Sequence, residues 1–494
     1  MRRTTAADSI VLHFLASIRW HYLGTLLALS ISNSLQASRP NIIFILADDL
    51  GWAELGCYGN RFNETPHLDQ LAERGIRFTN AYASAPVCSP YRAAFLTGQY
   101  PARTGILDYL RPNSENGLTT NHITLPKQLQ ANGYITGMIG KWHLSGYRYH
   151  GAKKTVRPKD HGFSWNVGSE IKSVGNGANF WPYMFRSQPI RWLDFQERKL
   201  GQKEYLTDRL NHEAVEFIEK NKDNPFFLFL SHYAPHTILN GKPRIVAKYR
   251  AKHQPGKSTR EKCYLCQDAT LEGDPQNHWA GNHNPHLAAM LESIDDGVGL
   301  ILAKLKSLNL DRNTIVIFTS DNGGETQVTS NAPLRGGKSQ LYEGGIRVPL
   351  IVSWTDTIAS AHVSLQTTSN VDFYPTLLEA AKIPAGNKQT LDGVSLLNTW
   401  IQPEAFSKQR ALFWHYPLEK RHFLGGTSSG AIRLGKWKLI ESFTDDSIEL
   451  YNLNKDPSES TNLAVKKPIL RKAMLKRLID WRKSLGATKA PPKR

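Results

Sequence analysis

Cysteine is nearly absent from this chain, four residues in 494, too few for a disulfide framework to stand in for a hydrophobic core. No internal repeat or low-complexity segment stands out, which sets aside solenoid and array architectures. No apolar run reaches the roughly 20 residues that a membrane-spanning helix needs. The clearest one, Tyr22–Ser32, lies downstream of Arg2-Arg3 and is followed by Ser34-Leu-Gln-Ala37. Residues 1–37 are therefore expected to be a cleaved export signal, and the protein to be periplasmic or secreted with no stable membrane insertion. Acidic residues are also in deficit, 43 against 61 Lys and Arg, for a formal charge of +18. That excess favours polyanionic partners, but no nucleic-acid fold signature accompanies it, so no nucleic-acid partner is expected.

What the chain does have is a set of short apolar runs that end in reactive side chains. Asn41–Ala47 is uninterrupted and β-branched, the pattern of a buried strand, and Asp48 and Asp49 follow it directly. Thr314–Ser320 repeats the pattern and ends in Asp321 and Asn322. Open α/β sheets bind ligands at the carboxyl ends of their strands, so these two pairs can converge although far apart in sequence. All four are hard oxygen donors, which suit calcium or magnesium and argue against zinc. Two further strand candidates lead into cations and imidazoles: Tyr134–Ile139 into Gly140-Lys141-Trp142-His143, and Phe226–Leu230 into Ser231–His236. Lys338 stands in a glycine loop, Arg335-Gly-Gly-Lys-Ser339.

Strand and helix patterns alternate from Asn41 through Lys382, which predicts an α/β fold with a mostly parallel sheet sandwiched by helices. Further strands are expected at 76–83 and 348–353, and helices at 66–74, 125–132 and 372–382. Beyond Pro384 the texture changes: 431–440 and 449–453 read as antiparallel strands and 468–485 as a final helix. The expected domains are 38–400, carrying the site, and a smaller C-terminal α+β subdomain over 401–494.

The most informative segment is Pro86–Gly105, where Cys88 and Arg92 fall one helical turn apart as a loop becomes a helix. Pro90 fits the first turn, beside unpaired backbone donors that favour an anion. Cys88-Ser-Pro-Tyr-Arg92, followed by Leu96-Thr-Gly98, resembles the sulfatase signature, and Gly140–His143 and Tyr342–Pro349 resemble further sulfatase blocks. The resemblance implies an alkaline-phosphatase-like fold with a C-terminal antiparallel sheet and helix, and hydrolysis of sulfate esters, expected on a sulfated glycan. It implies that a formylglycine-generating or sulfatase-maturing enzyme oxidises Cys88 to formylglycine, whose hydrate supplies the nucleophilic oxygen. It selects calcium (Ca2+), with Asp48, Asp49, Asp321, Asn322 and the modified Cys88 as ligands. Lys141, His236 and Lys338 match the sulfate-binding groups, and Arg92 and Lys141 those that hold the formylglycine and metal. His143 matches the base of the second half-reaction, and His236, with Lys338, the proton donor to the departing alcohol. Tyr91 departs from the pattern, since most relatives carry serine there. Two other readings stand beside this one: a phosphodiester or phosphonate monoester hydrolase of the same fold, and a sulfated-glycan-binding protein that keeps the thiol at Cys88.

Asn240–Pro285 is expected to be a long polar loop forming one wall of the substrate cleft, because it directly follows His236. His278, His283 and His286 are candidates for glycan contact. Cys263, Cys266, His278 and His283 come close to a zinc-finger spacing, but no ββα pattern surrounds them, and a local disulfide or loop thiols are read instead. His232 and His415 are read as structural histidines, and Asp295-Asp296 as packing or solvated groups within a helix.

Overall fold

The computed structural model describes residues 39–490 apart from 112–113, 115, 146–155, 173–178, 182, 186–187, 190, 193–203, 253–282, 387 and 404–408. The expected leader, Cys263, Cys266 and His278 lie outside the described residues. Pro40–Arg494 form one compact unit.

Asn41–Ala47 is strand β1, buried along its whole length. Side chains of a strand alternate between faces, and those of β1 divide accordingly. Ile42, Phe44 and Leu46 enter one core, Ile43, Ile45 and Ala47 the other. A strand buried on both faces belongs in the middle of a helix-covered sheet. Around it stand β2 (Ile76–Tyr82), β3 (Ile135–Gly140), β4 (Trp165–Val167), β5 (Phe226–Ser231), β6 (Thr314–Ser320), β7 (Arg347–Ser353), β8 (His362–Ser364) and β9 (Thr368–Ser369). Their order is β8-β2-β7-β6-β1-β5-β3-β4, with β9 added on β2. From β6 to β4 all pairings are parallel, whereas β7 runs antiparallel to both β6 and β2.

Helices cover both faces. α1 (Pro66–Glu73) gives Leu68 to one core, and α2 (Cys88–Thr97) and α3 (Leu125–Ala131) give Phe95 and Leu129 to the other. α4 (Leu206–Lys220), α5 (Pro243–Lys252) and α6 (Pro285–Ser307) follow on the α1 side, and α7 (Phe373–Ala380) on the α2 side. Phe44 and Phe95 meet with ring centroids 4.2 Å apart, seating α2 directly on the central strand. α5 corrects the expectation of an unbroken loop after Asn240. Val246 and Tyr249, spaced by one helical turn, bury against Ala288 and Ala289 of α6, an anchor that the polar composition around them conceals. Asp295 is 1% exposed and accepts the N–H groups of His67 and Leu68 at 3.1 and 2.8 Å, so it caps the start of α1 from another helix.

β10 (Ala411–Tyr416), β11 (Ser429–Leu434), β12 (Trp437–Ser442) and β13 (Ile448–Asn452) form an antiparallel sheet in chain order. Again the two-residue period sorts the side chains. Ala411 and Phe413 face α8 (Pro468–Ser484), which contributes Met474 and Leu478. Leu412, Trp414 and Tyr416 pack with Tyr82, Val87, Leu341 and Ile346, so this sheet shares a core with the segments flanking Cys88 and Lys338. Among the described residues no helix is long and apolar enough to cross a membrane.

Candidate active site

The parallel register pairs Ala47 with Ser320, Leu46 with Ser231 and Gly140 with Ser231. Neighbouring strands about 4.8 Å apart therefore end level, and the residues that follow them emerge side by side. This is how Asp48, Asp321 and Lys141 come to share one rim. Gly140 has φ 94°, and a Cβ on it would lie 2.0 Å from the Ser231 carbonyl oxygen, so only glycine lets β3 close on β5 here. The next N–H, from Lys141, donates to that same oxygen at 2.8 Å.

α2 delivers the remaining pieces from above the rim. Val87 is extended, Cys88 is the first helical residue, and its Sγ lies 3.3 Å from Asp48 Oδ1 and 3.9 Å from Asp49 Oδ1. One turn later Arg92 spreads its guanidinium over three strand ends. Nη2 donates to Asp321 Oδ2 at 2.7 Å, and Nη1 to the Lys141 carbonyl at 2.9 Å and Ser231 Oγ at 2.5 Å. Lys141 Nζ sits 2.5 Å from Asp48 Oδ2 and 3.5 Å from Cys88 Sγ. Lys338 Nζ sits 2.5 Å from Asp49 Oδ2 and 2.9 Å from His236 Nε2, which is itself 3.4 Å from Asp49 Oδ2. Asn322 Nδ2 donates to Asp49 Oδ1 at 2.7 Å. Asp49 holds φ 64°, a left-handed conformation that sets its carboxylate among these partners.

The electrostatics follow from burial and neighbours. Burial alone would raise Asp48, but Lys141, His236, Arg92 and Lys338 outweigh it and hold the carboxyl well below its usual range. Asp321 is pushed up to about 7 by burial and by Asp48, only partly offset by Arg92. Burial, Asp321 and Asp48 push the Cys88 thiol well up, so it stays protonated at neutral pH. Burial would lower Lys141 and Lys338, yet Asp48 and Asp49, respectively, keep both raised. Burial and Lys338 push His236 down to about 4. Burial and Lys141 hold His143 well down too, and its Nε2 lies 2.8 Å from the Leu110 carbonyl oxygen. A carbonyl can only accept, so the proton is on Nε2 and the lone pair on Nδ1.

Ligand atoms of Asp48, Asp49, Cys88 and His236 all lie within 4.8 Å of one another, a group that could hold a metal ion. Asn322 Oδ1 is buried with no hydrogen-bond partner among the described residues. An orphaned buried acceptor is costly unless something binds it, and with three carboxylates beside it the donor set fits a hard divalent cation. His236 joins this group, which the sequence did not anticipate. Asp321 stands next to it, with Oδ1 accepting the Asp49 N–H at 3.1 Å and Oδ2 on Arg92.

Cys88, Arg92, Lys141, His236, Lys338, Asp48, Asp49, Asp321 and Asn322 are thus brought together, with His143 in the field of Lys141, Arg92 and Asp48. His286 is not among them. It is 7% exposed, and its Nδ1 accepts the Gly241 N–H at 3.3 Å, so it ties α6 to the preceding segment and offers a glycan little surface. Sequence reasoning missed Ser231, although it directly follows the apolar run Phe226–Leu230 as Asp48 follows Asn41–Ala47. It also missed Glu325 and His422, whose titrations both feel Lys338 and Asp49. His422 comes from the turn between β10 and β11, and no local pattern announces its reach.

Residues 40–383 match the family model described as Sulfatase, and residues 337–484 that of the C-terminal region of N-sulphoglucosamine sulphohydrolase. The chain belongs to the sulfatase family. It is 31% identical over 473 residues to steryl-sulfatase of Rattus norvegicus, covering 79% of this chain and 76% of the relative. With a sulfatase of Formosa agariphila it shares 31% over 517 residues, 90% of this chain and 88% of that one. The crystal structure of Ps i-CgsB superposes with TM-score 0.74 at 29% identity, covering 90% of this chain and 93% of that one, and has also been solved with k-i-k-neocarrahexaose. The sheet, its helices and the C-terminal antiparallel sheet are the alkaline-phosphatase-like fold of sulfatases, and this sulfatase is a sulfuric ester hydrolase.

Proposed function

We propose that this sulfatase cleaves a sulfate ester on a sulfated carbohydrate, using a formylglycine made from Cys88 and a calcium ion held by Asp48, Asp49, Asp321 and Asn322. One observation carries the reading: Cys88 Sγ sits 3.3 Å from Asp48 Oδ1, buried, with its thiol pushed well up. A protonated thiol is a poor nucleophile, and sulfur is a poor match for a hard cation in a carboxylate cradle. An oxygen-bearing side chain at position 88 removes both conflicts. The hydrated aldehyde supplies an oxygen nucleophile, and calcium supplies charge neutralisation at the sulfate oxygens.

The protein's own residues do the rest. Arg92 and Lys141 hold residue 88 against the acidic rim, through Asp321 and Asp48. Lys141, His236 and Lys338 are the donors for the sulfate oxygens, where negative charge collects. His236 Nδ1 lies against the Thr237 carbonyl, so Nε2 carries the lone pair and accepts from Lys338 Nζ at 2.9 Å. The proton for the departing alcohol oxygen comes from that ammonium, relayed through Nε2. His143, fixed by Leu110, accepts a proton at Nδ1 in the second half of the cycle. Tyr91 points into the core with Phe95 and Leu96, which gives the departure from serine a packing role. The partners are a sulfated glycan and a maturation enzyme that oxidises Cys88. The leader at 1–37 directs export to the periplasm or medium, the 38–400 domain carries the chemistry, and 401–494 is the C-terminal subdomain.

The reading is tested by sulfate release from defined sulfated oligosaccharides, with phosphate and phosphonate esters assayed in parallel. Cys88→Ala is expected to abolish turnover with the fold intact, and the peptide carrying residue 88 is expected to show loss of sulfur by mass spectrometry. Full activity in that variant, or preferred turnover of the phosphorus esters, refutes it.

A further inference from the structure

The structure also holds a cavity of about 350 Å³, within the size range of small-ligand sites. It opens between the Lys338 loop and the C-terminal sheet. Arg335, Gln340 and Tyr342 line it from the loop, Arg421 and Thr427 from the turn between β10 and β11, and Glu449 from β13. The one carboxylate among the described residues lining it is already engaged, since Glu449 accepts the hydroxyls of Tyr342 at 3.1 Å and Tyr451 at 2.9 Å. Arg335 lies over the Tyr342 ring, 3.9 Å from its centroid, and donates to Tyr451 Oη and the Glu459 carbonyl at 3.0 and 2.9 Å. Arg421 is exposed and makes no hydrogen bond or ion pair with any described residue. Two guanidiniums against one occupied carboxylate leave a positive surplus on a polar wall, which fits an anion that also carries hydroxyls.

The cavity is joined to the sulfate-binding groups through a few residues. Lys338 and Gln340 are separated by at most about 7 Å of chain. Ser339 Oγ accepts the Gly426 N–H at 3.2 Å, and Gln340 Nε2 donates to the Leu424 carbonyl at 3.1 Å, so the 421–427 turn is pinned to the Lys338 loop. His422 of that turn lies in the field of Lys338 and Asp49, whereas its neighbour Arg421 lines the cavity. Phe423 is 73% exposed and stacked on His422 at 4.5 Å between centroids, an exposed apolar face two residues along the chain from Arg421. A sugar ring offers that same pairing of apolar C–H face and charged substituent.

We propose that this cavity is a second anion subsite, in which Arg421, with Arg335 beside it, binds a carboxylate or a second sulfate on the sugar next to the one whose ester is cleaved. The inference rests on the sulfate-ester reading above and narrows its substrate to saccharides with anionic groups on neighbouring sugars.

Wild type, Arg421→Ala and Arg421→Lys are compared on 4-methylumbelliferyl sulfate and on sulfated oligosaccharides whose neighbouring sugar is sulfated, a uronate or neutral. Arg421→Ala is expected to lose about tenfold or more in kcat/KM, through KM, on one of the two anionic classes. Arg421→Lys recovers part of the loss, and neither variant changes turnover of the aryl sulfate or of the neutral-neighbour class. The class that responds identifies the anion as sulfate or carboxylate. Equal losses on every substrate, or no loss on either anionic class, overturn the proposal. Calorimetric binding of the same oligosaccharides to Cys88→Ala and to Cys88→Ala/Arg421→Ala decides the subsite separately from turnover. About tenfold weaker binding in the double variant supports it, and equal or absent binding overturns it. Wild-type protein with the aldehyde in place that releases no sulfate fails the functional reading, while the calorimetry still judges the subsite.

Discussion

Arg92 Nη2 and Asp321 Oδ2 meet at 2.7 Å with both side chains fully buried, across 229 residues of sequence. The pair clamps the start of α2 to the end of β6, and with it the position of Cys88 over the acidic rim. Arg92→Met leaves Asp321 and Asp48 close together with one cation fewer, so unfolding in denaturant is expected to show a loss of about 3–5 kcal/mol. Arg92→Lys keeps the charge but cannot reach Asp321, Ser231 and the Lys141 carbonyl at once, and about 1–3 kcal/mol is expected to go. Two variants as stable as wild type would mean that the clamp is not structural.

Asn322 Oδ1, buried and without a hydrogen-bond partner among the described residues, makes the cation site testable without any assay of turnover. Calcium added to chelator-treated protein is expected to raise the thermal midpoint, with about 2.7 kcal/mol of stabilisation at a hundredfold excess over Kd. Asn322→Ala is expected to weaken that response by shifting the calcium dependence to higher concentration. An identical calcium response in the variant places the ion elsewhere.

His236 and Lys338 bear on the leaving group. If they deliver its proton, His236→Ala should slow alkyl sulfates of sugars by about 10²–10⁴-fold. Nitrophenyl sulfate, whose phenolate departs without help, is expected to slow far less. Equal slowing of both substrates would reassign His236 to binding of the sulfate alone.

Much of this site could be read from local sequence because strand ends carry it. The runs before Asp48 and Asp321 announce buried strands, and the Cys88–Arg92 spacing announces a helix start. Convergence itself was not in any motif: it depends on the register of Ala47 with Ser320 and of Gly140 with Ser231. α5 was hidden because only Val246 and Tyr249 of its residues are buried, too few to show a periodic face. His286, a candidate for glycan contact at the end of a polar stretch, falls in the buried first turn of α6. Arg421 and His422 owe their places to the packing of Trp414 on Tyr82, a contact between segments 332 residues apart whose rings sit 5.7 Å from each other.

Lys438 of β12 holds Glu343 and Glu459 at 2.9 Å each, with all three side chains fully buried. Burial would raise Glu343, but Lys438, Arg347 and Arg433 lower it, while Glu459 is raised by burial and by Glu343. The lysine therefore joins the C-terminal sheet to the segment that follows Lys338. Lys438→Met leaves two buried carboxyls with no cation between them, and a loss of about 3–5 kcal/mol is expected in chemical denaturation. Combining it with Glu343→Gln should restore part of that loss. If the double variant is no more stable than the single one, the cost lies in packing and not in charge.

His232 supplies a pH dependence separate from catalysis. It is 1% exposed, neither ring nitrogen has a partner among the described residues, and burial pushes it down to about 3. Above the ordinary histidine value of about 6.5 the ring is neutral folded or unfolded, and no stability depends on it. As pH falls below that value the unfolded chain takes up a proton that the folded chain refuses. Stability then drops by about 1.4 kcal/mol per pH unit for this residue alone, until the folded ring titrates in turn. His232→Leu removes the titration and keeps an apolar side chain in a dry position. Its stability measured between pH 4.5 and 6.5 is expected to fall less steeply than wild type by one proton's slope, and parallel curves for the two proteins would rule this origin out.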